Sequence, residues 1–224
     1  MITQEALSFL DDLASNNSTV WMHANIKRYE NYKKDYYNYI ASILFEMKLF
    51  DKTLEPLEVK NCTFRINRDI RFTKDKVPYK TNMGVWLSQN KNSKNSPGYY
   101  LHYEKGKSFI AGGVWCPEPI DLKKIRKEIA YFYEDLETVL NEKQFKSEFG
   151  GFTFEEKNTL KKAPKDFDTN HPAITFLKLK SYTASTSIED KLFLDPNFSS
   201  LVAKKLLLLK PMNDFLTRAL ETED

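Results

Sequence analysis

The sequence predicts an α+β fold: a central, mostly antiparallel sheet of about five strands, flanked by N- and C-terminal helices. Apolar residues recur every three or four positions over residues 3–50 and again over 119–220, the period of an amphipathic helix. Over residues 60–116, short aromatic and β-branched segments alternate with turn residues, which is typical of strands. Because helices and strands are segregated along the chain, the order favours α+β over a doubly wound fold.

We expect a single domain over residues 1–224: helical at 3–50, sheet-forming at 60–116, and helical with one further strand at 119–220. A chain of 224 residues with 41% hydrophobic residues can bury a substantial core. No linker rich in Gly, Ser or Pro and no internal repeat interrupts it, and the loosest segment, 89–97, is too short to separate two cores.

The sequence pattern in the first third of the chain predicts two helices. Thr3 is placed to cap a helix that ends at Asn16-Asn17, and a second helix runs from about Thr19 to Lys48. One face of the second helix carries a tyrosine-rich stripe, formed by Tyr29, Tyr32, Tyr36, Ile40, Ile43 and Met47. Such a stripe could stack on nucleic-acid bases, but its spacing favours packing into the core.

Strands are predicted at 63–66, 83–89, 98–104 and 107–116, with a fifth near 179–185. Lys105-Gly106 forms a tight hairpin turn between two of them. Alternation along the 98–104 strand places Tyr99, Leu101 and Tyr103 on one face. The opposite face is mixed in character and carries Tyr100, His102 and Glu104.

Helices return after Pro117-Glu118-Pro119. The first carries Leu122, Ile125, Ile129 and Phe132 on one face, and a second spans about 134–146. A short helix with Ile174, Phe176 and Leu177 precedes the fifth strand. Two closing helices, near Pro196 and Pro211, complete the chain.

The composition indicates a protein without a membrane span, and we expect a cytoplasmic location. The N-terminus lacks a basic region followed by an apolar run, and no apolar stretch approaches the roughly 20 residues that span a bilayer. Cys62 and Cys116 are expected as two buried thiols, and a disulfide between them is the alternative.

Several kinds of site lack a signature in this chain. It has only seven glycines and neither of the glycine-rich phosphate-binding motifs, so side chains would have to hold any anion. The three histidines are far apart and there is no C-x-x-C or H-x-x-H pair, so no metal site and no cofactor are expected.

The most informative feature is a basic segment at residues 65–80. It carries six basic and two acidic side chains, a net charge of +4, whereas the whole chain carries only +3. A local positive field in a nearly neutral background attracts anions, and arginine grips phosphate or carboxylate through its planar fork. The predicted ligand-binding residues are Arg65, Arg68, Arg71, Lys74, Lys76 and Lys80. Arg65 is placed on the 63–66 strand and the others on the loop that leaves it.

The same segment carries a resemblance to a known family. It reads R-I-N-R-D-I-R-F-T-K-D-K-V-P-Y-K-T-N and is followed by G-Y-Y-L-H-Y-E, G-G-V-W-C-P-E-P, F-D-T-N-H-P-A, L-K-S-Y and P-M-N-D-F-L. These motifs and the opening N-N-S-T-V-W-M-H-A-N-I-K-R-Y-E resemble the conserved hypothetical bacterial family called domain of unknown function 2461, from about Ala6 to Leu220. At Thr19 that family commonly has a charged residue. The resemblance implies a single domain, found in bacteria and some lower eukaryotes, and no particular activity.

Three functions are compatible with these residues. The favoured one is binding of a phosphate-bearing or other small anionic ligand; Lys91 and Lys94 add further positive charge, and a nucleic acid is not favoured because the rest of the chain is slightly acidic. The first alternative is an enzyme on a phosphorylated or carboxylated metabolite, with the three arginines orienting it and Asp69, His102 or Tyr79 exchanging a proton. The second is a structural or protein-interaction domain. The oligomeric state is left open.

Overall fold

The structure is a computed structural model that describes residues 2–90 and 96–222. Within this part of the chain, the α-helices are α1 (Gln4–Ser15), α2 (Thr19–Ala24), α3 (Ile26–Phe50), α4 (Pro119–Tyr131), α5 (Tyr133–Leu140), α6 (Lys143–Phe149), α7 (Ile174–Leu177), α8 (Phe198–Leu207) and α9 (Lys210–Glu221). The strands are β1 (Met83–Leu87), β2 (Gly98–Tyr103), β3 (Phe109–Val114) and β4 (Tyr182–Ser187). Short 3-10 helices lie at Lys52–Leu54, Val59–Asn61, Glu156–Asn158 and Asp190–Leu194.

The α+β prediction is confirmed: in the described residues, helices flank one antiparallel sheet with the strand order β1-β2-β3-β4. The sheet has four strands rather than about five. In β2, the predicted alternation holds, because Tyr99, Leu101 and Tyr103 are buried while Tyr100 and His102 are half-buried. The β2–β3 hairpin turns at Gly106, whose φ of 74° lies in the left-handed region that glycine tolerates.

The predicted strand at 63–66 is absent, so Arg65 does not lie on a strand. This stretch makes only isolated antiparallel bridges: Thr63 pairs with Val85 of β1. The ladder stops there because the backbone N–H of Phe64 donates to the Tyr36 hydroxyl, 3.1 Å away, instead of to a strand carbonyl. A side chain from α3 therefore takes the place of a strand partner.

The N-terminal helices follow their capping residues. The Thr3 hydroxyl accepts from the Ala6 N–H at 3.2 Å, which confirms the predicted cap of α1. The helix predicted from Thr19 to Lys48 is two helices, because Asn25 ends α2 by donating its side-chain amide to the Trp21 carbonyl, 2.9 Å away. The tyrosine-rich stripe of α3 packs inward as expected; Tyr32, Tyr36, Ile40, Ile43 and Met47 are buried.

The chain divides into two compact units. One comprises the described residues of Met1–Leu87, Tyr100–Ile110 and Ser187–Lys204, the other those of Ser88–Tyr99, Ala111–Thr186 and Lys205–Asp224. The expected single domain stays a prediction.

The first unit has an aromatic core. Tyr39 of α3 is fully buried and stacks on Phe193 and Phe198, with ring centroids 6.2 Å and 5.6 Å apart. Tyr103 of β2 meets the Phe193 ring edge-on at 4.9 Å. This packing holds α3 against the sheet residues of the same unit.

The second unit is clamped by Arg218 of α9. Its guanidinium lies between the Phe132 and Phe215 rings, 4.9 Å and 5.1 Å from their centroids, and donates to the carboxylates of Glu128 and Asp135 at 2.5 Å and 3.0 Å. Glu128 is buried, so this pairing offsets the cost of removing its charge from water.

Both cysteines are free thiols; Cys62 is buried as expected, whereas Cys116 is exposed, contrary to expectation. Cys116 lies just after β3 with a left-handed φ of 49°, and its N–H donates to the Ser181 hydroxyl at 2.9 Å. Among the described helices, none combines the length and the apolar character that a bilayer span requires.

Candidate functional site

The first unit contains a cleft of about 640 Å³ between α3, the basic segment and the start of the sheet. Every residue that lines it belongs to this unit. The lining residues are Tyr29, Tyr32, Lys33, Tyr36, Tyr37, Thr63, Phe64, Arg65, Ile66, Asn67, Arg68, Asp69, Thr73, Lys80, Asn82, Met83, Gly84 and Tyr100.

The base of the basic segment folds back on itself as a short ladder. The Arg68 N–H donates to the Pro78 carbonyl at 2.9 Å, and the Lys80 N–H donates to the Ile66 carbonyl at 2.7 Å. These two bonds hold residues 66–68 against residues 78–80, and neither stretch contains a glycine. Arg68 and Lys80 are therefore held on a defined, hydrogen-bonded backbone.

Asn17, between α1 and α2, holds the second half of this ladder at Tyr79. Its side-chain amide donates to the Tyr79 carbonyl at 3.0 Å, and its side-chain oxygen accepts from the Tyr79 N–H at 3.1 Å. One side chain thus satisfies both backbone groups of Tyr79, as a neighbouring strand would. The tip of the segment is closed separately, because the Thr73 hydroxyl donates to the Asp75 carbonyl at 2.6 Å.

The structure brings only part of the predicted cation set to the cleft. Arg65, Arg68 and Lys80 line it, whereas Arg71, Lys74 and Lys76 do not. Lys76 turns back on the tip and donates to the Ile70 carbonyl at 2.8 Å.

Two acidic residues neutralise two of the arginines. Arg68 donates to Asp75 at 2.7 Å, and Arg71 grips Asp69 through Nε and Nη2 at 2.9 Å and 2.7 Å. The hydrogen bonds from the arginines are the main reason that the pKa values of Asp75 and Asp69 are lowered. Both carboxylates are consequently charged at neutral pH and occupied by arginine.

Three cations of the cleft stay without such a partner. Among the described residues, no carboxylate lies within 4.0 Å of Lys33, Arg65 or Lys80 in an ion pair. Burial lowers the pKa of Lys80, and the nearby charge of Arg65 lowers it further. An anion placed between Arg65 and Lys80 would relieve this repulsion.

Aromatic side chains form a large part of the cleft wall. Tyr36 is buried and donates its hydroxyl to the Gly84 carbonyl while accepting from the Phe64 N–H. Phe64 and Tyr37 are 44% and 37% exposed, so parts of both rings remain open to a ligand. Lys80 lies 5.3 Å from the centre of the Phe64 ring, and Lys33 lies 5.5 Å from that of Tyr37. The wall therefore combines open ring surface with positive charge.

A hydrogen-bonded relay extends from the cleft along β2. The Tyr100 hydroxyl lies 2.9 Å from Nδ1 of His102, and Nε2 of His102 lies 3.4 Å from Oε2 of Glu104. Nδ2 of Asn82 lies 3.3 Å from the same Nδ1. Lys107 donates to Oε1 of Glu104 at 3.1 Å. Tyr100 and Asn82 line the cleft, whereas His102 and Glu104 lie behind them.

The charges of this relay follow from burial and pairing. Burial lowers the pKa of His102, although the hydrogen bond to Glu104 opposes the change. The hydrogen bond from Lys107 is the main reason that the pKa of Glu104 is lowered. Burial raises the pKa of Tyr100 to about 12. At neutral pH the relay therefore consists of a neutral phenol, a neutral imidazole and a carboxylate.

The three candidates for proton exchange occupy different places. Asp69 lines the cleft but is held by Arg71, and His102 reaches the cleft only through Tyr100 and Asn82. Tyr79 is held through its backbone and is not a lining residue. Their role in proton exchange stays a prediction.

Sequence reasoning missed Tyr100, Asn82, Gly84 and Lys33 as site residues. The alternation of β2 already places Tyr100, His102 and Glu104 on one face, and this signal could have identified the relay. Lys91 and Lys94, which the charge argument also used, lie outside the described residues. In residues 2–90 and 96–222, no three His, Cys, Asp or Glu side chains gather in a metal-binding group.

Comparison with known proteins identifies the family of this chain. No curated protein and no solved structure gives a significant match to this chain. A family model described as "Conserved hypothetical protein (DUF2461)" matches residues 5–215. That match covers nearly the whole chain, and the basic segment and both sides of the cleft lie within it. The chain belongs to the DUF2461 family of conserved hypothetical proteins.

Proposed function

We propose that this protein binds a small anionic ligand, preferably one that bears a phosphate, in the cleft beside the basic segment. The setting we infer is the cytoplasm of a bacterium, in line with two free cysteines and the family resemblance. The ligand's anionic group would lie between Arg65 and Lys80.

The observation that supports this proposal is the set of cations left over after pairing. Arg68 and Arg71 are occupied by Asp75 and Asp69, whereas Arg65, Lys80 and Lys33 line the cleft with no ion pair among the described residues. Charge-assisted hydrogen bonds from such groups are about twice as strong as neutral ones. The repulsion between Arg65 and Lys80 adds to the gain when an anion binds between them.

The aromatic wall supports a ligand that is more than an inorganic ion. Phe64, Tyr37 and Tyr100 give the cleft an apolar and ring-lined part next to its cations. A phosphate ester with an organic group would bury that group against these rings, whereas free phosphate would use only the charged part.

The test is a titration of the protein with phenyl phosphate, followed by amide chemical shifts. Arg65→Ala and Lys80→Ala should each weaken binding by about tenfold or more, because each removes a charge-assisted hydrogen bond. Lys74→Ala removes the same charge from the same segment outside the cleft and serves as the matched control. It should change affinity by about twofold or less, since an exposed charge acts only through screened, long-range attraction.

Equal losses in Lys80→Ala and Lys74→Ala would contradict the proposal, since they would indicate attraction to the segment as a whole. Shift changes that map away from α3, the basic segment and β1 would contradict it as well. Free phosphate, titrated in parallel, measures what the aromatic wall contributes.

The second candidate is an enzyme on a phosphorylated or carboxylated metabolite. The observation that favours it is the Tyr100–His102–Glu104 relay, because a hydroxyl–imidazole–carboxylate series can take up a proton from a bound group. Its test is turnover of a panel of phosphate esters by the wild type and by His102→Gln. Turnover that is unchanged in His102→Gln would exclude this role of His102.

The protein-interaction alternative is favoured less. Phe72, 91% exposed at the tip of the basic segment, is the feature that speaks for it. A concave cleft lined by unpaired cations is more typical of a small ligand than of a protein surface.

A further inference from the structure

We propose that the ligand of this cleft carries a hydroxyl or amino group in addition to its anionic group, and that the Tyr100 hydroxyl accepts a hydrogen bond from it. This inference rests on the proposed function and narrows its ligand class to hydroxylated or aminated phosphates and carboxylates. It follows from the direction of the hydrogen bonds in the relay behind the cleft wall.

The direction is set first at Glu104. A carboxylate only accepts hydrogen bonds, so the proton of the neutral His102 ring lies on Nε2, where it donates to Glu104. Lys107 holds Glu104 in its charged form through a 3.1 Å hydrogen bond. Nδ1 of His102 consequently carries a lone pair and no proton, so it can only accept.

The protonation of His102 then determines the direction of the hydrogen bond at Tyr100 in the cleft wall. Because Nδ1 can only accept, its single lone pair faces two donors, the Tyr100 hydroxyl at 2.9 Å and the Asn82 amide at 3.3 Å, and the shorter contact, with Tyr100, is the main hydrogen bond. Tyr100 has one proton, and it is used for this bond. What Tyr100 can offer a ligand is its oxygen lone pairs, which accept and do not donate.

Gly84 gives the Tyr100 hydroxyl its place at the wall. A Cβ at position 84 would lie 2.9 Å from the Tyr100 oxygen and 3.1 Å from Cδ2 of Phe64. The first distance is too short for a side chain to coexist with the hydroxyl in its present position. Gly84 also lines the cleft, so its missing side chain leaves room beside the acceptor.

The acceptor and the cations are close enough for one small molecule. Lys80 lies 5.3 Å from the Phe64 ring centre, and the Phe64 ring meets Tyr100 edge-on with centroids 6.1 Å apart. Lys80 and Tyr100 thus both lie next to the same aromatic ring, a separation that a polyol or sugar phosphate can bridge. The cleft would hold the anion at one end and a hydrogen-bond donor at the other.

The probes are two pairs of phosphate monoesters that differ by a terminal hydroxyl: butyl and 4-hydroxybutyl phosphate, and hexyl and 6-hydroxyhexyl phosphate. Two chain lengths cover the span between Lys80 and Tyr100. In the wild type, the hydroxylated member of at least one pair should bind about three- to tenfold more tightly, as expected for one hydrogen bond.

Three variants assign this preference to its residue. Tyr100→Phe, which keeps the ring and removes only the hydroxyl, should abolish the preference. Tyr37→Phe, which removes another hydroxyl from the same cleft, is the matched control and should keep the preference. Gly84→Ala, which displaces the Tyr100 hydroxyl without removing it, should also abolish the preference and serves if Tyr100→Phe does not fold.

The outcomes separate this inference from the proposed function. Equal binding of both members of both pairs in the wild type, weakened by Arg65→Ala, would overturn the inference and keep the anion site. A preference that survives in Tyr100→Phe would also overturn it. Both proposals would be overturned if every cleft variant bound the probes as tightly as the wild type, or if no probe bound at millimolar concentration.

Discussion

At the scale of single residues, the charge that a ligand meets differs from the formal charge of the basic segment. Six basic side chains lie in residues 65–80, but Arg68 and Arg71 are held by Asp75 and Asp69. Arg65 and Lys80 remain without an ion pair in the described part of the chain and line the cleft. The sequence predicts the concentration of charge, whereas only the course of the loop decides which charges are paired.

His102 gives a prediction about pH. Because burial lowers its pKa below the ordinary value of 6.5, the unfolded state takes up a proton at a higher pH than the folded state. The free energy of unfolding should therefore fall as the pH decreases from 7 to 5. Urea unfolding at pH 7 and at pH 5 measures this difference in the free energy of unfolding.

The comparison for this prediction is His102→Gln, which keeps a polar side chain and cannot titrate. The wild type should lose more stability than His102→Gln between pH 7 and 5, and the loss should be complete only below the folded pKa. Measurements stop at pH 5 because Glu104, whose pKa lies below 4.5, contributes at lower pH. Parallel losses in the two proteins would show that His102 is not the group responsible.

At the scale of secondary-structure elements, two of the buried tyrosines of α3, Tyr36 and Tyr39, differ in their hydrogen bonding. The Tyr36 hydroxyl donates to the Gly84 carbonyl and accepts from the Phe64 N–H. Among the described residues, the Tyr39 hydroxyl is buried without any hydrogen-bond partner. The same substitution at the two positions should therefore have effects of opposite sign.

Tyr39→Phe should raise the free energy of unfolding by about 1 kcal/mol, because it removes an unpaired buried hydroxyl. Tyr36→Phe should lower it by about 1–3 kcal/mol, because the Gly84 carbonyl and the Phe64 N–H lose their partner. Urea unfolding of both variants against the wild type measures these changes. A destabilised Tyr39→Phe would indicate that this hydroxyl has a partner after all, such as a buried water.

The elements also show where sequence patterns are informative. Alternation along β2 correctly predicts its buried face, because period two follows from strand geometry alone. The strand predicted at 63–66 fails because the Tyr36 hydroxyl, 28 positions away, captures the Phe64 N–H. At the break between α2 and α3, the Asn25 side chain likewise bonds to the Trp21 carbonyl, beside the bonds of its own backbone N–H. Local patterns carry no information about such distant or single contacts.

At the scale of the whole molecule, the two compact units are interleaved along the chain. Their boundaries at 99/100, 110/111 and 186/187 fall inside β2, β3 and β4. Each of these three strands contributes residues to both units, so unfolding of the strand residues in one unit disrupts strands that continue into the other unit. We therefore expect the single domain that the sequence predicts to appear as one cooperative transition.

Differential scanning calorimetry tests this expectation. The calorimetric enthalpy of unfolding should equal the van't Hoff enthalpy, as for a two-state domain. Two resolved transitions, or a calorimetric enthalpy well above the van't Hoff value, would identify the two units as separate domains.

The position of Trp86 next to Tyr100 has a practical consequence. Trp86 is one of only three tryptophans, and its ring lies 6.5 Å from that of Tyr100, with 53° between the ring planes. Indole emission responds to changes in its immediate surroundings, so a molecule that engages Tyr100 alters a fluorophore already present in the protein. The protein thus carries an optical reporter next to a residue that lines the cleft, and compound libraries can be screened on the unlabelled wild type, with Trp86→Phe as the reference.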